Sequence, residues 1–234
     1  MLETTSGLEL QDSRGRSISV DELDEAGVTG HAPITDAEKP ASVRLRSAIE
    51  GGDLEAARQA IADGASLEFL PNVMLSPLSL VFDLAKVFDG RMPAEWGGLA
   101  KLLVDAGAPI NGYDWESPPI CLVVHQTAKS EATVIKYLQT ILALGGDINA
   151  CGRGAIKGST ALDMAVWFSF PEVVQFLINQ GARLDIRNGG GLTPLKNAES
   201  MARHDAGAGS ASDKEDVRRR ARVVELLRQG PPRE

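Results

Sequence analysis

Cys121 and His125 stand four residues apart in "PPICLVVHQ". On a helix that spacing puts a thiol and an imidazole on one face. Such a pair could act as an activated nucleophile or as half of a metal site. No third ligand follows at a workable spacing, and the other histidines, His31 and His204, fall in stretches that read as a linker and a loop. The run "CGRGAIKGST", residues 151–160, offers a second chemistry. Its glycines, Arg153 and Lys157 precede a helix start, where free amides and the helix dipole can hold an anion. The phosphate-loop motif needs Gly-Lys-Ser/Thr, whereas the order here is Lys157-Gly158-Ser159. Carboxylates are plentiful, but no pair is spaced for acid–base work, and Asp163 is expected to bond to neighbouring backbone. The residues predict no enzyme, no metal and no cofactor.

The elements that would position these residues come from a chain of ordinary globular composition. It has 234 residues, 43% hydrophobic and 24% charged. No apolar run approaches the roughly 18 residues of a membrane span. The N-terminus has neither the basic nor the apolar segment of a secretory signal. Two cysteines are too few for a disulfide framework and read as reduced thiols, which places the chain in the cytoplasm. The formal charge of -8 is uneven: residues 1–40 hold nine acids against three bases, and arginines collect near the C-terminus. Without a basic stripe along a face, nucleic acid is not an expected partner, and neither is a membrane.

Most of the chain is repetitive. "GGGLTPLKNA", residues 189–198, sets a glycine run ahead of Thr193-Pro194-Leu195. Threonine there is a good N-cap, and proline suits the first helical position, where an amide N–H would lack a partner anyway. The spelling recurs as Ser76-Pro77-Leu78, and more loosely as Pro118-Pro119-Ile120 and Thr160-Ala161-Leu162. A second signal answers it. Apolar helices end at Gly64, Gly107, Gly145 and Gly181, each followed by a small or polar residue and a spaced aliphatic. Glycine can take the left-handed conformation that closes a helix. From start signal to closing glycine the shortest unit, Thr160 to Gly181, spans 21 residues. Three others are longer, with the excess between first and second helices at "DLAKVFDGRMPAEW", "HQTAKSEA" and "RHDAGAGSASDKEDV". The last of these reads as a Gly/Ser-rich mobile loop.

This pattern resembles the ankyrin repeat, about 33 residues of β-turn and two helices with a T-P-L-H-x-A signature. The segment 160–185, "TALDMAVWFSFPEVVQFLINQGARLD", matches without a gap, and 45–68 looks like an opening unit. The resemblance implies an all-α ankyrin-repeat solenoid of stacked helix-turn-helix units with β-hairpin fingers. Its domain is expected at 41–230, in about five units (41–72, 73–112, 113–155, 156–187, 188–230), followed by a tail at 231–234. Leu78, Ile120, Leu162 and Leu195 should line up from the first helices. Leu102, Leu103, Phe176, Leu177, Leu226 and Leu227 should line up from the second. Residues 1–40 form an acidic N-terminal segment that alternates like a short hairpin and then a short helix. Two roles fit it, a cap on the terminal repeat or a flexible tail.

The resemblance also implies a function. Ankyrin-repeat proteins bind other proteins through finger tips and the concave face of the inner helices. Carried over, the tips are 72–75, 112–116, 151–157 and 187–190. The expected partner-binding residues are Tyr113, Asp114, Trp115, His125, Gln126, Arg153, Lys157, Trp167, Phe168 and Arg187. Packing of Trp167 and Phe168 beneath neighbouring insertions is the structural alternative. Arg- and Ala-rich usage points to a GC-rich bacterium. The most concrete role is then a bacterial immunity-type protein, monomeric when free, that occludes a toxin. An adaptor or regulatory subunit of an enzyme is one rival, and an accessory protein that holds an anionic ligand at the 151–158 hairpin is another.

Overall fold

The computed structural model describes residues 10–11, 17–18, 40–70, 75–84, 94–126, 130–207 and 214–230. Two short strands, β1 (Leu10–Gln11) and β2 (Ser17–Ile18), pair antiparallel with Leu10 opposite Ile18. The acidic helix expected after them, and His31, lie outside the described residues. Ten α-helices follow: α1 (Pro40–Gly51), α2 (Leu54–Ala62), α3 (Pro77–Leu84), α4 (Ala94–Asp105), α5 (Pro119–Gln126), α6 (Glu131–Ala143), α7 (Ala161–Trp167), α8 (Pro171–Asn179), α9 (Pro194–Gly207) and α10 (Lys214–Gln229). The odd-numbered helices form an inner row, each packed on the next. In the outer row α2 packs on α4, α6 on α8 and α8 on α10.

Local chemistry sets the helix boundaries. The hydroxyls of Ser76, Thr160 and Thr193 accept from the amides of Ser79, Asp163 and Lys196, at 3.2, 3.3 and 3.4 Å. These are three copies of one N-cap. Proline opens α3, α5, α8 and α9. At the other end, Gly64, Gly107, Gly145 and Gly181 all have φ between 85° and 106°. The residue after each donates back five positions: Ala65 to Ala60, Ala108 to Leu103, Gly146 to Ile141 and Ala182 to Leu177, all at 2.9 to 3.0 Å. A Cβ would penalise each of these left-handed turns.

The stack buries what the repeat register requires. Leu78, Ile120 and Leu162 of the inner row are fully buried, with Leu103, Leu177, Leu226 and Leu227 from the outer row. Each large aliphatic contributes about 1.5–3 kcal/mol. Leu195, Leu102 and Phe176 pack against this core but stay partly exposed. Trp96, inside the first insertion, is among the largest fully buried side chains, so that insertion carries a core anchor. The third insertion differs from the expected loop. Residues 203–207 continue α9, which places His204 in a helix, and 214–217 begin α10; 208–213 lie outside the described residues. Helix-favouring Ala, Glu, Met and Arg in "AESMARHDA" outweigh the glycine that follows.

Tight turns close the fingers between units. In the longest, Gly152 donates to the Ser159 carbonyl at 2.8 Å, and a 3-10 turn, Gly154–Ile156, forms the tip. In the last, Asn188 donates to Leu192 at 3.0 Å and Gly191 to Asn188 at 2.8 Å. A Cβ on Gly189 would run into the Lys157 carbonyl, so only glycine lets these two fingers approach so closely.

Candidate functional site

That approach walls one side of a cavity of about 540 Å3 on the inner-helix face. Lys157 and Asn188 come from the fingers, Asp163 and Trp167 from α7, and His125 from the end of α5. Helix α7 exposes this face because it is short and ends early. The chain reverses at Ser169, a non-glycine with φ of 56°, and Phe170 donates to the Ala165 carbonyl at 2.9 Å.

Trp167 is 59% exposed, the most exposed large hydrophobic residue among those described. Phe168 turns the other way. Its ring meets the His125 ring edge-on at 6.0 Å and stacks on Phe170 at 5.7 Å. His125 is exposed at the rim, and Gln126 ends α5 with its side chain outside what is described. Lys157 is exposed and has no side-chain partner among the described residues.

At the floor lies Asp163, 1% exposed. Its Oδ2 accepts from the Thr160 amide and hydroxyl, both at 2.9 Å, which completes a capping box. Its Oδ1 has no hydrogen-bond partner among the described residues. Burial raises the carboxyl above its ordinary value, and the two bonds from Thr160 oppose this. Asp163 follows Leu162 in the helix-start signature, and the fourth-position residue of the second unit, Ser79, carries the other buried side-chain atom without a partner among those described. The bond from the Thr160 amide to Asp163 is the backbone bonding its sequence position predicts. The unsatisfied oxygen, and the contributions of Met164, Asn188 and Asn197 to the lining, have no local sequence signal.

The second finger is not the open tip expected. Trp115 stacks on Phe69 at 4.9 Å and on Tyr113 at 6.0 Å, and its indole N–H donates to Glu68 at 3.2 Å. The Tyr113 hydroxyl donates to the Leu67 carbonyl at 2.9 Å, and burial, then Glu68 and Glu116, push its pKa up to about 12. Arg153 is likewise committed inward. Its guanidinium donates to the Glu116 carbonyl at 2.7 Å and reaches the exposed carboxylate of Asp114 at 3.5 Å. Lys157 is the other cation of that finger. Arg187 is exposed and bonds across its own finger to the Gly191 carbonyl at 2.9 Å.

Cys121 and His125 do not form a working pair. The buried thiol donates to the carbonyls of Ala150 at 3.3 Å and Ser159 at 3.6 Å, and burial pushes its pKa up to about 12. A thiol so held is neutral and lies within the stack. No group of three metal-ligating side chains occurs among the described residues. No helix among the described residues is long and apolar enough to cross a membrane.

No curated protein matches the chain. The ankyrin repeat family model matches residues 157–189, from Lys157 at the cavity rim through α7 and α8 to Gly189 on the opposite finger. With that match on the unit that carries the groove, and the same caps and closing glycines repeated on either side, residues 157–189 are an ankyrin repeat within a helical solenoid of like units.

Proposed function

We propose that the chain is a non-enzymatic binding protein that holds a protein partner against its inner-helix face. The two fingers at 151–158 and 187–191 form the sides of the grip. The observation that carries this reading is Trp167, a large aromatic left 59% exposed beside a cavity. Exposed aromatics at a concave surface are what binding hot spots use. The concrete role favoured is that of an immunity-type protein that occludes a toxin. The acid excess of -8 supports it, because it suits a basic partner and speeds encounter with one. The test is affinity capture followed by calorimetry of the captured protein against Trp167→Ala and, on the outer row, Gln175→Ala. Loss of affinity at Trp167 alone supports the reading. Loss at Gln175 alone moves the interface to the convex side and overturns it. For the immunity role, co-expression with a toxic partner should restore growth with the wild-type chain and fail with Trp167→Ala.

A further inference from the structure

The cavity at the junction of α7 with the last finger holds an unusual pair. Asp163 and Trp167 are four residues apart, on one face of α7. The acid is buried at the floor with an oxygen that none of the described residues satisfies, and the indole is at the rim. Leaving a buried carboxylate oxygen without a partner carries a large desolvation cost. The lysine that lines the same cavity, Lys157, does not relieve it, for it stays exposed and unpaired among the described residues.

Two ligand charges can be weighed. An anion would need free donors. The amides of Gly190 and Leu192 already donate to Asn188 Oδ1 at 3.0 and 3.1 Å, and those of Gly191 and Gly158 to carbonyls. Lys157 is the one lysine or arginine that would face it, beside the neutral polar groups of Ser159, Asn188 and Asn197 and with the Asp163 carboxyl beneath. A cation finds the reverse: a buried carboxyl and an exposed indole line the same cavity. A planar guanidinium suits both, since it stacks on aromatic rings and presents several N–H groups in a fixed fork.

We propose that this cavity is a receptor for one arginine side chain of the protein partner, with the guanidinium lying against Trp167 and reaching the Asp163 carboxyl, whose buried Oδ1 it satisfies once the side chains over that oxygen part. The assignment rests on the inner-face docking described above and specifies its central contact. At about 540 Å3 the cavity falls within the roughly 300–1,000 Å3 of small-ligand sites. The raised Asp163 carboxyl agrees with a negative charge awaiting its counter-charge.

The test uses the full chain and N-acetyl-arginine amide, followed by amide and indole N–H chemical shifts. Expected are saturable shifts at the Trp167 indole and Gly190, absent with N-acetyl-norleucine amide and with inorganic phosphate. Asp163→Asn, which keeps an oxygen for Thr160, should weaken binding about tenfold or more, the loss of one charge-assisted hydrogen bond. Trp167→Leu should weaken it without changing stability, and Lys157→Ala should tighten it. Equal binding of the norleucine amide, binding of phosphate at this site, or no saturable shift with the arginine probe would each overturn the assignment. If the arginine probe fails while a captured protein still loses affinity on Trp167→Ala, the pocket assignment falls and the docking face stands. Saturable arginine binding beside a partner indifferent to Trp167→Ala keeps the cation pocket and overturns the docking face.

Discussion

Glu131, at the first position of α6, forms an ion pair with Arg219 of α10, eighty-eight residues later. The same carboxylate accepts from the amides of Glu172 and Val173, at 2.6 and 3.1 Å, at the start of α8. Phe170, the residue before α8, offers no side-chain cap, so Glu131 supplies one from the preceding unit. Arg219 in turn donates to the Ser169 carbonyl at 3.2 Å, and Arg220 to the Ser169 hydroxyl at 3.1 Å. One buried carboxylate thus ties three successive units together at the strained turn between α7 and α8.

Glu131→Ala should therefore destabilise the protein by about 2 kcal/mol, because it orphans two helix-start amides and a partly buried guanidinium. Arg219→Ala should cost less, and the double variant less than the sum. Denaturant midpoints of the four proteins give the cycle. Additive losses would show that the ion pair contributes nothing of its own.

Trp115→Ala should lower stability, contrary to what an open finger tip would predict. Its stacking on Phe69 and Tyr113 and its bond to Glu68 link the second finger to the first. Loss of about 1–2 kcal/mol is expected from the aromatic contacts and one hydrogen bond. An unchanged melting temperature would mean that the stack carries no weight.

The contrast between Trp115 and Leu162 shows what the sequence could and could not reveal. Leu162 follows a cap three residues before a bonded acid, and its unit closes on a left-handed glycine. Every one of those signals is local, so fold and register were legible from residues alone. The partners of Trp115 lie 46 and 47 residues earlier, on another finger. Nothing at position 115 announces them. Arg153 was legible as a cation at a tip, but its anchoring to Glu116 depends on how two fingers pack. Trp167 was placed correctly on the inner helix by register, whereas its exposure depends on how the turn at Ser169 leads the chain away.

Asp163 sets a pH dependence whose sign can be worked out. Its native carboxyl lies above the ordinary 3.8, because desolvation outweighs the Thr160 bonds. Folding therefore favours the protonated form. That contribution is complete below 3.8 and is lost as pH rises through the raised native value. Asp163→Asn should be more stable than wild type at pH 7, and the difference should shrink toward pH 4. Stability curves of both proteins across that range check it. A difference that grows on acidification would show that the ionised carboxylate is the favoured native form.

The two thiols should separate cleanly. Cys151 is exposed, whereas Cys121 is buried with a pKa near 12. A thiol-exchange reagent at neutral pH should titrate one thiol quickly and the second only on unfolding. Fast reaction of both would remove Cys121 from the stack and reopen the pairing with His125.

The inner face is tested most sharply by comparing its aromatic with its cations. Trp167→Ala should cost about 2 kcal/mol or more of partner affinity, as a buried anchor does. It should leave stability nearly unchanged, because 59% of the residue is already in water. Arg153→Glu is a different perturbation. Its guanidinium holds the neighbouring finger through Glu116 and Asp114, so reversal should lower stability as well as partner affinity. Lys157 carries no such contact among the described residues, and Lys157→Glu should change mainly the association rate. With a basic partner the rate should rise, and more so at low salt, where screening is weak. Stopped-flow association of the captured partner at two ionic strengths separates these cases. A slower rate for Lys157→Glu, enhanced at low salt, would mean that the partner presents acid to this rim, against an arginine entering the cavity.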